Sequence, residues 1–180
     1  MLINKLRKFN IADNIIKWIV FFLTDRDQHT KLGDQRSFTH VINCSIVQGS
    51  GIGPTLFVIF ICDLWLISVY NRMAKYADDA TLLVPEKTDV QIQDEFNSVT
   101  NWASVNKLTT NVFKTREFVF HRPNPMNYLP PAEIIGVERI SYVKLLEVWL
   151  QEDMGFTKHV DYITHICNQQ LYLLNQLSNQ

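Results

Sequence analysis

The stretch "KYADDATLLV", residues 75–84, sets two carboxylates, Asp78 and Asp79, side by side between short apolar runs. Runs of this length around a turn signal read as strands, so residues 73–77 and 80–84 are expected to form a hairpin with both aspartates at its tip. At such a tip Asp tolerates turn geometry and bonds its own backbone, and a bare Asp-Asp pair needs no further explanation. The flanks add one. "MAKYA" and "ATLLV" are apolar enough for core strands, which would anchor the pair on a rigid sheet. Adjacent like charges raise each other's proton affinity. A hard cation such as Mg²⁺, which takes one or two carboxylates together with substrate phosphates, removes that conflict. Successive strand side chains point to opposite faces, so Asp78 and Asp79 are expected to play unequal roles, with one the main ligand.

Upstream, "VQGSGIGP" (47–54) holds three glycines in five residues. That density marks unusual backbone geometry; a tight turn before a helix and a loop that lets backbone approach a ligand fit equally well. Pro54 suits the first turn of a helix, expected to run to about residue 70. Earlier, residues 2–9 read as a short helix with Leu2, Ile3, Leu6 and Phe9 on one face. Asp13 is the expected N-cap of a second helix ending near residue 23. Residues 28–43 read as a hairpin with Gly33 and Asp34 in its turn. Downstream, a helix over 89–105 gathers Val90, Phe96, Val99, Trp102 and Ala103 on one face. A strand follows at 116–120, a loop at 122–131, a strand at 142–150 and a long amphipathic helix at 156–177. This order predicts an α+β fold, an antiparallel sheet covered by helices on one face.

The 180 residues suffice for one domain or for part of a larger one. A hydrophobic content of 47% excludes a disordered chain. The net charge of −1 lacks the basic footprint usual in nucleic-acid-binding domains. Cys44, Cys62 and Cys167 are odd in number, with no CxxC, and imply neither a disulfide framework nor a zinc site. They fit a reducing, intracellular home, in nucleus or cytoplasm. Lys5, Arg7 and Lys8 lead into no signal peptide. "IIKWIVFFL" and "TLFVIFICDLWLISVY" fall short of the roughly 20 apolar residues of a span and contain Lys17 and Asp63; both are expected to be buried core helices, with no membrane contact. Trp18, Phe21 and Phe22 are likewise expected in the core rather than as a platform for bases. His159 and His165 lack the spacing of a zinc helix.

"YADD" in such a hairpin resembles the catalytic signature of reverse transcriptases. "QGSGIGPTLFVIFICDL" is similar to the segment that precedes it in non-LTR (LINE-type) retrotransposon reverse transcriptases, of the form PQGSxLGPLLFxxYINDL. "NKLTTNVFKTREFVF" resembles that family's NxLxLNxxKTxxxxF. "LINKLRKFNIADNIIKWIVFFLTDRDQ" resembles LLxKLxxxGI…WIxxYLxxRxQ, and "YVKLLEVWLQEDMGFTKHVDYI" resembles YKYLGVxLDxxLxWxxHI. The five matches run in the family's order over nearly the whole chain.

The resemblance implies a polymerase palm truncated at both ends, over residues 1–150, and the start of a thumb-like helix over 151–180. It implies that Asp78 binds the catalytic metals with Asp79 beside it, and that Tyr76 and Ala77 complete the signature near the primer end. Gln48, Gly49 and Ser50 would line the template and nucleotide pocket. Lys114 falls where the family has a lysine that serves the leaving pyrophosphate; alone, it reads as a solvated surface charge. Two Mg²⁺ ions would clamp the attacking and leaving oxygens of nucleotidyl transfer. The implied partners are an RNA template, a DNA primer and deoxynucleotides, together with the fingers and thumb segments.

The chain also departs from the pattern. The family's other metal-binding Asp belongs to a motif whose tail resembles "MLINKL", so it is expected to precede Met1, and the chain is expected not to polymerise alone. Val47 stands for the family's Pro, Cys62 for Asn, and Leu146-Glu147-Val148 for Leu-Gly-Val. The alternative expectation is a non-catalytic retroelement remnant that acts, if at all, through protein or RNA contacts.

Overall fold

The computed structural model describes residues 1–42, 46–47, 49–123 and 128–178. Gln48, Cys44, the last residue of the 28–43 hairpin and the middle of the 122–131 loop lie outside the described residues. The chain forms two units, Met1–Thr109 and Thr110–Gln180.

In the first unit, helical periodicity becomes α1 (Leu2–Lys8) and α2 (Asp13–Leu23). Ala12 takes the N-cap position and Asp13 the first helical one, where its charge meets the positive end of the helix dipole. Leu6 of α1 packs with Ile16 and Ile19 of α2 and with Leu56 of α3 (Gly53–Phe60) to make the core. Each such side chain contributes about 1.5–3 kcal/mol of burial. The α2 face that points into this core is the 16–19 face. At 100° per residue, Trp18 and Phe21 fall elsewhere. They are 53% and 81% exposed, which corrects the expectation that the aromatic stripe is core.

Two nested antiparallel pairs follow. β1 (Arg26–Gln28) pairs with β4 (His40–Ile42), and inside them β2 (Lys31–Leu32) pairs with β3 (Gln35–Arg36) across Gly33 and Asp34. Gly33 has φ +59°, the left-handed geometry this turn requires.

α3 stops at Phe60, ten residues short of the expected end, although the sequence stays apolar. Its terminal carbonyls are taken by two lysines distant in sequence. Lys5 donates to the Phe60 carbonyl at 2.6 Å, and Lys75 donates to the carbonyls of Ile61 at 2.9 Å and Leu64 at 3.0 Å. Cations at a helix C-terminus satisfy its orphan carbonyls and complement its dipole. Beyond, the fully buried Glu95 carboxylate accepts from the Ile67 and Ser68 amides and from the Asn71 side chain, which holds 67–71 as irregular chain. Glu95 belongs to α4 (Ile92–Val105), which begins later than the expected residue 89 because Asp89 instead accepts from the Ser68 hydroxyl.

β5 (Arg72–Tyr76) and β6 (Asp79–Leu83) form the antiparallel hairpin between these elements. Their residues are half-buried or exposed, so they are not the core strands that their composition suggests.

In the second unit, β7 (Arg116–Phe118) pairs in parallel with β8 (Glu138–Ile140). In this register Glu117 faces Arg139. The guanidinium donates twice to the buried carboxylate, at 2.9 and 3.0 Å. β9 (Tyr142–Leu145) and β10 (Val148–Gln151) make a hairpin where one strand was expected. Its turn residues, Leu146 and Glu147, both have positive φ, which is hairpin-turn geometry without the usual Gly or Asn signal. α5 (Thr157–Ser178) closes the chain.

The fold is therefore mixed α+β, as expected. The single antiparallel sheet is not what forms. The described strands make five separate two-stranded ladders, one of them parallel. Eight of these ten strands have two to four residues, shorter than the usual five to six, and offer little edge for a third strand.

Candidate functional site

Two segments far apart in sequence meet in the first unit. The first is the glycine loop. Ser50 folds back on it, its hydroxyl donating to the Val47 carbonyl at 2.7 Å and its amide to the same oxygen at 3.2 Å. The Gly53 amide then donates to the Ser50 carbonyl at 3.2 Å, which leads the chain into α3. This winding is tight. A Cβ on Gly53 would stand 2.9 Å from the Ser50 hydroxyl and 3.2 Å from the Val47 carbonyl, so only glycine fits unstrained.

The second segment is the hairpin tip. Tyr76 pairs with Asp79, which leaves Ala77 and Asp78 as the two-residue turn. The turn lies one residue earlier than expected: Asp78 is at the tip, and Asp79 is the first residue of β6. Ala77 has φ +49°, a left-handed conformation that costs a residue with Cβ roughly 1–2 kcal/mol. Strain of this kind persists only where the surroundings hold it.

Both segments line one open cleft of about 1680 Å³. Gly49, Ser50 and Gly53 contribute from the loop, and Tyr76, Ala77 and Asp78 from the hairpin. Asp79 is not among the lining residues, and both aspartates are exposed. Lys114 belongs to the second unit, where it is exposed and its amide closes a turn on Asn111.

The cleft also has a wall that sequence reading missed. Phe21 and Phe22 from the end of α2 line it, followed by Asp25, Arg26 and Asp27. The available signal was the abrupt change from an apolar helix to "TDRDQ". Trp18 stacks on Phe22 with ring centroids 5.6 Å apart, which braces this side.

A polar cluster lies at the C-terminal end of α3. Lys5 holds Asp63 at 2.6 Å and Asn106 at 3.0 Å. Burial pushes the Asp63 carboxyl up, but the Lys5 hydrogen bond and charge outweigh it and hold the group below its ordinary range. Asp63 is thus a structural ion-pair member. Burial lowers Lys75, against smaller opposing pulls from Cys62 and Asp63.

Asp78 and the adjacent Asp79 offer hard oxygen ligands suited to Mg²⁺. Among the described residues, no three His, Cys, Asp or Glu side chains converge as a metal site. The aspartate pair fits a share in binding one cation; it does not fit a complete two-ion site. No helix among the described residues is long and apolar enough to cross a membrane.

Comparison with known proteins identifies the family. The sequence model described as reverse transcriptase (RNA-dependent DNA polymerase) matches residues 1–143. The probable RNA-directed DNA polymerase from transposon BS of Drosophila melanogaster is 26% identical over 172 residues, which cover 88% of this chain and 19% of that protein. The RNA-directed DNA polymerase from mobile element jockey of Drosophila funebris is 26% identical over 156 residues, 79% of this chain and 17% of the relative. Its Drosophila melanogaster counterpart is 24% identical over 155 residues. The chain thus spans less than a fifth of these relatives. No solved structure matches it. The mobile-element relatives agree with the non-LTR character of the motifs, and the family model spans most of the chain: this protein belongs to the reverse transcriptase (RNA-dependent DNA polymerase) family.

Proposed function

We propose that this chain is part of the palm of an RNA-directed DNA polymerase of a non-LTR retrotransposon, and that Asp78 is its contribution to the catalytic metal site. The observation that carries this reading is the convergence of Gly49, Ser50 and Gly53 with residues 76–78 on one cleft. The glycine loop offers close backbone approach to a nucleotide or template, and the hairpin tip offers a solvent-accessible carboxylate. Tyr76 and Ala77 flank that carboxylate on the primer side. Gly49 and Ser50 line the cleft as the proposed nucleotide pocket, to which the family resemblance also assigns Gln48. Asp79, on the strand, orients the turn and adds a second oxygen donor. The family resemblance assigns Lys114 to the leaving pyrophosphate.

Magnesium supplies charge neutralisation at the transferred phosphate when bound. The carboxylates that complete its coordination belong to other parts of the polymerase, as do the fingers and most of the thumb. Residues 1–150 are then palm and 151–180 the start of the thumb. The template, the primer and deoxynucleotides are the proposed partners, inside the cell.

The test is Mn²⁺ binding, read by electron paramagnetic resonance, on the chain and on Asp78→Asn and Asp79→Asn. Weak binding is expected in the unaltered chain, abolished by Asp78→Asn and reduced less by Asp79→Asn. Equal binding in all three proteins would refute the reading and leave a remnant without a working site. Steady primer extension by the isolated chain in Mg²⁺ would overturn the claim that the site is shared with other segments.

A further inference from the structure

We infer that Lys75 is a positioning residue for the site: it ties the hairpin bearing Asp78 to the far end of the helix whose near end carries the glycine loop. The consequence for catalysis rests on the function proposed above. The tether itself stands on geometry alone.

A two-stranded hairpin is at best marginally stable by itself, and this one has little else to hold it. None of its ten strand residues is buried. On β5 only Met73 and Lys75 are half-buried. Arg72 reaches back to the Val69 and Asn71 carbonyls, next to its own strand. Lys75, in contrast, spans to another element, donating to Ile61 and Leu64 carbonyls 14 and 11 residues away.

The anchor point is well chosen. Ile61 and Leu64 lie just past the C-terminus of α3, the negative end of its dipole. Lys5 grips the same end through Phe60 and Asp63, so the anchor is itself fixed to α1. α3 has eight residues, a rigid strut of about 12 Å. Its N-terminal end emerges from Ser50 and Gly53, which face the same cleft as Asp78. The strut and the Lys75 tether together set how far Asp78 stands from the glycine loop. Lys75 lies three residues before Asp78 in sequence, on the strand that leads into the turn, so a displacement of its head group passes directly to the tip.

The chemistry of the side chain suits the task. An ammonium carries three donors and no acceptor, so it can serve two carbonyls at once. Methionine keeps the stem and removes the donors. Arginine restores a cationic head, with five N–H donors in a planar fork.

The experiment compares amide hydrogen exchange in the 180-residue chain, Lys75→Met and Lys75→Arg, with α2 amides as the internal reference. We expect Lys75→Met to speed exchange of the β5–β6 amides about tenfold while α2 stays unchanged, a local opening rather than a global one. Lys75→Arg should return the hairpin to within about threefold of the unaltered chain. Mn²⁺ affinity should fall and recover in parallel. Unchanged hairpin exchange in Lys75→Met overturns the inference, and so does an equal rise in α2, which marks a general stability effect. If the unaltered chain binds no Mn²⁺, the proposed function fails, while hairpin exchange still decides the tether. Should Lys75→Met not fold, Lys75→Leu, which also lacks a donor, takes its place under the same criteria.

Discussion

Replacing Lys5 by methionine should cost about 3 kcal/mol at neutral pH, and somewhat less in acid. Lys5 is only 7% exposed, and its ammonium meets three acceptors: the Phe60 carbonyl, the Asp63 carboxylate and the Asn106 side-chain oxygen. It also lies over the Phe60 and Trp102 rings at 4.7 and 5.0 Å. Methionine retains the stem packing but leaves all three oxygens without their donor. The Asp63 side chain is 39% exposed, so it rehydrates at small cost. Asn106 is buried, and the Phe60 carbonyl sits at a helix end. An unsatisfied buried acceptor costs about 1–3 kcal/mol, and two of them give the figure above. Against a typical total of about 5–15 kcal/mol, the change is large.

The pH dependence has a definite sign. The folded Asp63 carboxyl lies below its ordinary value of 3.8, because the Lys5 hydrogen bond and charge outweigh the opposing effect of burial. Its contribution is complete above 3.8 and is lost as pH falls through the lower folded value. The gap between the two proteins should therefore narrow below about pH 4. Urea unfolding followed by circular dichroism at pH 7 and pH 3 measures both quantities. A loss under about 1 kcal/mol at pH 7 would refute the account of Lys5 as the donor for buried acceptors. An equal loss at both values would refute the role of Asp63.

Other perturbations test other parts of the structure. Glu117→Leu should destabilise the second unit by about 3 kcal/mol, whereas Glu117→Leu with Arg139→Met together should cost far less, because removing both partners leaves no unpaired buried charge; a denaturation double-mutant cycle reads the difference. Gly53→Ala should cost about 1–3 kcal/mol, since its Cβ would press on the Ser50 hydroxyl at 2.9 Å and on the Val47 carbonyl; thermal unfolding measures it, and a neutral result would mean that the loop opens freely. Ala77→Gly should stabilise the chain by up to about 1 kcal/mol by relieving the left-handed turn, and unchanged stability would show the turn to be unstrained.

Much of the local structure was legible in the residues. α1, α2 and α5 lie close to where their apolar periodicity places them, and Gly33 with Asp34 marked the β2–β3 turn. Glycine and proline at 49–54 announced the entry to α3. The two halves of the candidate site, the loop and the aspartate hairpin, were each visible as segments. The misses share a cause. Leu146 and Glu147 carry no turn signal although both adopt positive φ, so locally the β9–β10 hairpin has the pattern of one strand. The parallel pairing of β7 with β8 rests on Glu117 finding Arg139 across 22 residues, which no local pattern encodes.

The sequence by itself determined the family, the positions of α1, α2 and α5, and the residue types available for chemistry at 48–50 and 76–79. Those properties depend on composition and short-range spacing, and short-range spacing is all that local backbone preference reads. Only the tertiary structure decided where α3 ends, since its apolar run continues but Lys5 and Lys75 arrive from elsewhere to cap its carbonyls. Only the tertiary structure decided that Phe21 and Phe22 face a cleft instead of the core, and that Asp78 shares that cleft with Ser50. Whether a buried carbonyl finds a donor, and which face of a helix is covered, depends on groups tens of residues distant, and such partners exist only once the chain has folded.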